Sequence, residues 1–227
     1  MAVAQAERLY RFEQALHIDI ELAVNRTLDN VTWLIVGMNY YYAVAHFIVT
    51  ITVLVWLYRR HPSQYLVARS VFLLTNVLAL VVFYFFPLAP PRLLPGYGFI
   101  DTVVVHGTWG SWASGDVAAA TNQYAAMPSM HVAWSVFCGV LVWMVAERPW
   151  IRALGVAHPV VTLVVIVATG NHFVLDAVGG VIALGLGFTA LRAATVIRYR
   201  VRPPRPPRQP GPRERESEPT SPVPAPA

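Results

Sequence analysis

Lysine is absent from this chain of 227 residues; all 17 basic residues are arginine. Acids are scarce too, and Glu147 stands alone between Asp116 and Asp176. Charged residues make up 13% of the chain, against about 25% in an ordinary soluble domain. So little charge excludes a soluble body of this length and points to lipid as the main solvent. The single cysteine, Cys138, excludes an internal disulfide and a cysteine-based zinc site. It sits in an apolar run as a packing thiol. A net charge of +5 arises largely in the C-terminal tail, and aromatics do not alternate with arginine. That pattern excludes a nucleic-acid groove. Residues 1–30 lack the apolar stretch of a signal peptide, so membrane anchoring is expected from the body of the chain.

What is present is apolar: 56% of residues are hydrophobic and the mean hydropathy is +0.50. The expected fold is all-α, a bundle of about five transmembrane helices preceded by an amphipathic interfacial helix. Val31–Tyr58 contains no Asp, Glu or Arg, which is ample for one crossing. Further spans are expected at 70–88, 130–146, 153–169 and 177–197. Uninterrupted apolar runs of this length suit helices and not strands. In residues 1–30, Leu9, Phe12, Leu16, Ile20 and Val24 recur at helical spacing, which predicts a helix lying on the membrane surface.

Three domains follow: 1–30 as that amphipathic segment, 31–200 as a transmembrane catalytic domain, and 201–227 as a tail. Arginines cluster after the first, third and fifth spans, at Arg59, Arg60 and Arg69, at Arg148 and Arg152, and at Arg198, Arg200, Arg202 and Arg205. The positive-inside rule makes that side cytoplasmic. The N-terminus, the loop 89–129 and the turn at Gly170-Asn171 are then expected outside. The Pro- and Arg-rich tail is expected to be a disordered cytoplasmic segment, either inert or a PPII ligand for a partner.

Two short segments carry the chemistry. Met127-Pro128-Ser129-Met130-His131 opens the third span, and Thr169-Gly170-Asn171-His172-Phe173-Val174-Leu175-Asp176 opens the fifth. The topology brings both to the same interface. His172 and Asp176 are four residues apart, so on a helix they share a face. A carboxylate bonded to one imidazole nitrogen leaves the other free to attack. His131 is then the candidate general acid. Ser129 sits at a helix N-cap, where its hydroxyl and free N–H groups can hold phosphate oxygens. Asp176 is the only acid in the last two spans, and ionisable groups at membrane depth are expensive and usually functional.

Pro128-Ser129-Met130-His131 followed by His172-x-x-x-Asp176 resembles the type-2 phosphatidic acid phosphatase superfamily over roughly residues 30–197. Asn122-Gln123-Tyr124-Ala125-Ala126-Met127 and Thr169-Gly170-Asn171-His172 are most similar to its inositol-phosphoryl-transferase branch, which includes the inositol phosphorylceramide synthases. The resemblance implies a phosphohistidine on His172, orientation by Asp176 and protonation of the departing alcohol by His131. It implies a lipid phosphate as substrate, water or an alcohol such as inositol as acceptor, and neither metal nor cofactor. Two cationic clamps of the phosphatases are missing: a Lys-x6-Arg-Pro motif, and an arginine where this chain has Ile166. Ala89-Pro90-Pro91-Arg92 is similar to a segment of the transferase branch. Arg92 is therefore the candidate phosphate ligand, with Asn171 as a second substrate ligand.

Asn39, Tyr42 and His46 form a polar stripe on the first span. They either line a substrate cavity or supply hydrogen bonds between helices. Asp101, His106, Trp109, Trp112 and Asp116 are candidates for a lid, with the two tryptophans also suited to an interfacial belt. The glycines at 179, 180, 185 and 187 are expected to permit close helix packing. The competing class is a non-catalytic lipid-binding or transport protein. No internal repeat of the kind seen in secondary transporters is visible.

Overall fold

Proline and arginine mark where the long helices begin and end. The structure, a computed structural model, describes residues 1–108 and 123–201. Trp109, Trp112, Asp116 and the tail from residue 202 onward lie outside the described residues, so the expectations attached to them stay as stated. The described α-helices are α1 (Ala2–Ala15), α2 (Glu21–Asp29), α3 (Thr32–Arg60), α4 (Pro62–Phe85), α5 (Thr102–Val105), α6 (Met130–Val145), α7 (Pro149–Ala168) and α8 (Val174–Val201). Met1–Arg192 forms one compact unit and Ala193–Ala227 a second. The described part of the second unit is the helical run to Val201.

This is an all-α membrane protein. Among the described residues, four helices are long and apolar enough to cross a bilayer: Thr32–Arg60, Pro62–Phe85, Pro149–Ala168 and Val174–Thr195. The fifth expected span, α6, has 16 residues and packs between the others. Its length is about 24 Å at 1.5 Å per residue. The second span starts earlier than expected, at Pro62 instead of residue 70. Proline at the first helical position is pre-organised for the helix, and no breaker follows until Pro87. The last helix starts at Val174, not at 177.

Helices approach closely where glycine removes the side chain. A Cβ on Gly139 of α6 would come within 2.6 Å of the Gly155 carbonyl on α7. On α8, a Cβ at Gly180 would overlap the Ser129 carbonyl, and one at Gly187 would lie 3.1 Å from the Thr75 backbone nitrogen. Gly185 differs from expectation, because nothing lies within 4 Å of where its Cβ would be.

The N-terminal segment also differs. Its buried face is Ala2, Ala6, Tyr10 and Glu13, and it covers the end of the bundle where α6 and α8 begin. There it joins Leu88, Ala89, Leu94, Ala126 and Phe173 in one core cluster. Phe12, Leu16 and Ile20 face outward, while Val24 packs on Val132 and Ile166. Of the expected membrane-facing stripe, three residues remain exposed; the small-residue face is the one the protein buries.

Candidate active site

Ser129 caps α6, its hydroxyl oxygen accepting from the Val132 N–H at 3.5 Å. Its own N–H donates to the Asp176 carbonyl at 2.8 Å. That bond, with Gly180 against the Ser129 carbonyl, locks the start of α6 to the first turn of α8. His131 on α6 and the His172–Asp176 segment are thereby brought to one place. Ser129 is fully buried and engaged in this joint, which leaves its backbone N–H unavailable to a phosphate.

His172 precedes α8 instead of lying on it. The α7–α8 turn passes through Gly170 at φ +66°, a left-handed position that glycine takes without strain. There the chain folds back so that the Asn171 and His172 N–H groups both donate to the Ile166 carbonyl, at 3.1 and 3.2 Å. His172 Nδ1 lies 2.9 Å from the Ala126 carbonyl and 3.4 Å from Asp176 Oδ2. Facing two acceptors, Nδ1 carries the hydrogen, which leaves Nε2 with its lone pair. Nε2 is buried and has no hydrogen-bond partner among the described residues. Asp176 is fully buried; its Oδ2 also accepts from the Phe173 N–H at 2.9 Å. The closeness of His172 and Asp176 thus comes from a helix-capping turn, not from a shared helical face. The nearer acceptor on Nδ1 is a backbone carbonyl.

His131 stacks on Tyr42, with ring centroids 4.2 Å apart and planes at 22°. It meets His46 edge to face at 4.3 Å and lies 5.5 Å from His172. Tyr42 is 6.3 Å from His172, so one tyrosine touches both histidines. His46 Nδ1 lies 3.1 Å from the Tyr42 carbonyl. Arg92 reaches the same corner: its N–H donates to the Gly170 carbonyl at 2.9 Å. Its Nε donates to Asn171 Oδ1 at 2.9 Å, and Nη1 pairs with Asp101 Oδ2 at 2.9 Å. The guanidinium is held one residue from His172 by a buried fork.

Asn39 is not brought to the site. Its amide donates to the Thr102 carbonyl and the Thr108 hydroxyl, at 3.1 and 3.0 Å, and accepts from the Thr102 hydroxyl at 2.8 Å. Of the two readings of the polar stripe, Asn39 takes the structural one, and Tyr42 and His46 join the histidines. His106 pairs with Asp29 at 2.7 Å, pinning α5 to the end of α2. An apolar groove of about 650 Å³, lined among others by Val71, Phe137, Met144 and Phe188, lies near the opposite end of the bundle and contains none of these residues.

Three residues at the site end have no role in the sequence reading: Glu13, Glu21 and Asn25, all fully buried. Asn25 bridges the Ala168 carbonyl and the Ile100 backbone. Glu13 and Glu21 accept from the first N–H groups of α8, those of Leu175 and Val174, each at 2.7 Å. Burial pushes the Glu13 carboxyl up to about 9, the Leu175 N–H opposing and Glu21 and Asp176 reinforcing the rise. Burial raises Glu21 as well, and Tyr10 beside them is raised by burial and by the neighbouring acids. The sequence signal was the spacing Ala2, Ala6, Tyr10, Glu13, a small-residue stripe ending in an acid.

The family model described as the PAP2 superfamily matches residues 7–190. No curated protein and no solved structure matches the chain.

Proposed function

The chain belongs to the PAP2 superfamily, and from that premise we propose that it transfers a phosphoryl group from a lipid phosphate through a phosphohistidine on His172. The observation that carries this is the buried, unpartnered Nε2 of His172, with its ring oriented through Nδ1 and a second imidazole 5.5 Å away. Nε2 attacks phosphorus, and the bond from phosphorus to the lipid oxygen breaks. The leaving oxygen takes a proton from His131. In the second half, the oxygen of water or an alcohol attacks phosphorus and gives its proton to His131, and the P–N bond breaks to release Nε2. Asp176 and the Ala126 carbonyl hold the Nδ1 hydrogen while the ring carries positive charge. Arg92 and Asn171 bind phosphate oxygens, and Tyr42 and His46 pack His131 into place.

An inositol-like alcohol as acceptor is supported by the sparse cationic equipment. Ile166, in the place of a clamp arginine, is fully buried, and Arg92 is already shared with Asn171 and Asp101. Arg59 and Arg60 end α3 and Arg148 precedes α7, at the end of the bundle away from the site. The positive-inside rule then puts the site on the extracytoplasmic face of a bacterial plasma membrane.

The test is purified full-length protein in detergent, a panel of lipid phosphates, and myo-inositol present or absent. Free phosphate dependent on His172 makes water the acceptor. Inositol phosphate and released lipid alcohol, with little free phosphate, make it an alcohol. Neither product, or product unaffected by His172→Ala, overturns the reading.

A further inference from the structure

Glu13 and Glu21 come from different helices, are both fully buried, and form no ion pair among the described residues. The titratable groups facing them are Tyr10 on α1, Asp19 between α1 and α2, and Asp176 on α8, all of them acids. Each gives one oxygen to the start of α8, to Leu175 and Val174 respectively. Together with Asp176 on the Phe173 N–H, three carboxyl groups cap three successive donors of one helix end. The second oxygens, Glu13 Oε2 and Glu21 Oε2, accept from no donor among the described residues, and the two carboxyls sit on adjacent N–H groups of one turn, within electrostatic reach of each other. Two carboxylates there cannot hydrogen-bond to each other. One carboxylic acid and one carboxylate can, and the proton then satisfies both orphaned oxygens. Burial favours the same state, since it holds Glu13 protonated up to about 9. The single remaining negative charge faces the positive end of α8.

We propose that Glu13 and Glu21 form a proton-sharing carboxyl pair that clamps the start of α8 and so positions His172 for phosphoryl transfer. The role rests on the phosphohistidine reading above. The clamped N–H groups lie two and three residues beyond His172, and between them Phe173 packs against Tyr10, ring centroids 6.0 Å apart. Losing the clamp lets this turn shift and carries the His172 ring off its line of attack. Both glutamates are positioning residues, since neither touches the reacting atoms. In this arrangement α1, an element outside the spans, becomes part of the catalytic machinery.

The experiment compares full-length wild type, Glu13→Ala, Glu13→Gln and His172→Ala on the lipid phosphate that wild type turns over. Glutamine keeps an oxygen for the Leu175 N–H and offers Glu21 an N–H that does not titrate. Glu13→Ala is expected to lose kcat by about 100-fold, the loss typical of a 1 Å misplacement, with KM largely kept. Wild-type kcat is expected to fall as pH rises through about 9; Glu13→Gln is expected to recover most of the alanine variant's loss at neutral pH and to abolish that fall. The infrared difference between wild type and Glu13→Gln should show a protonated carboxyl band at neutral pH. Absence of that band, or a glutamine variant as impaired as alanine, overturns the clamp. If wild type shows no product dependent on His172, the phosphohistidine reading fails and the positioning role falls with it, while the band still reports the shared proton.

Discussion

Asp176→Asn separates two jobs that a carboxylate beside a histidine usually does together. In many sites the carboxylate both fixes the tautomer and stabilises the charged ring. Here the nearer acceptor on Nδ1 is the Ala126 carbonyl at 2.9 Å, and Asp176 Oδ2 stands at 3.4 Å. Asparagine keeps a carbonyl oxygen for the Phe173 N–H, and Ala126 keeps the tautomer, so only the charge is lost. At 3.4 Å, a full positive charge on the ring and the carboxylate attract by roughly 5 kcal/mol at an effective dielectric of about 20. With about half of that charge developed in the transition state, the loss is roughly 2–3 kcal/mol, about two orders of magnitude in kcat. A site that depends on its carboxylate for the tautomer loses about 10⁴-fold on the same change. The assay is steady-state turnover of the lipid phosphate by detergent-purified variants, with His172→Ala as the floor. Activity at that floor refutes the argument, because Ala126 would then be unable to hold the ring. Unchanged activity refutes it from the other side, by removing the charge from the mechanism.

Two further outcomes follow from buried polar groups near the site. Asn39→Ala strips the Thr102 and Thr108 groups of their partner, which costs about 1–3 kcal/mol per unsatisfied group; thermal unfolding should record the loss while KM stays near wild type. Glu13 holds a proton in the folded protein up to about 9, whereas in the unfolded chain it ionises in the ordinary carboxylate range. Its contribution to stability is therefore complete below that range and lost as pH rises through about 9. Unfolding midpoints should fall in wild type from the ordinary carboxylate range up to about pH 9, and Glu13→Gln should flatten that slope.

The spans are legible in the sequence because arginine and proline punctuate apolar runs that leave a helix few other endings. The joint of the site is legible too, since Pro128-Ser129 announces a helix start and Asp176 is an acid where acids are expensive. What the one-dimensional pattern hides is how His172 and Asp176 meet. A spacing of four reads as one helical face, but the helix begins at Val174, and the two are joined by a capping turn through Gly170. Nothing in the spacing shows that the Ala126 carbonyl supplies the closer bond, because that contact depends on the backbone pairing of Tyr124 and Ala126 with Leu88. The role of α1 is hidden for a different reason. The large residues of the N-terminal segment suggest a face turned to lipid, and Phe12, Leu16 and Ile20 do face outward, yet α1 turns alanines, a tyrosine and a glutamate toward the bundle.

That division reverses the usual reading of a hydrophobic stripe, and α4 offers a direct test. In lipid, large apolar side chains gain nothing by leaving the surface, while small and polar residues let helices approach. The buried residues of α4 are Ala68, Val71, Thr75 and Ala79, whereas Leu73, Val77 and Leu80 are exposed, Leu80 by 65%. Thr75 lies against Gly187 of α8 and spends its hydroxyl on the Val71 carbonyl. In a soluble core, Leu→Ala costs about 2–5 kcal/mol. Leu80→Ala should cost no more than about 0.5 kcal/mol, as at any surface position. Thr75→Leu, which raises hydrophobicity, should cost about 1–3 kcal/mol, because its added methyl groups meet the Gly187 backbone. Thermal unfolding of both variants in the same detergent decides between the two readings. If Leu80→Ala proves the more damaging, the lipid-facing side of α4 is covered in the working protein. A second copy of the chain would then be the first thing to look for on that face.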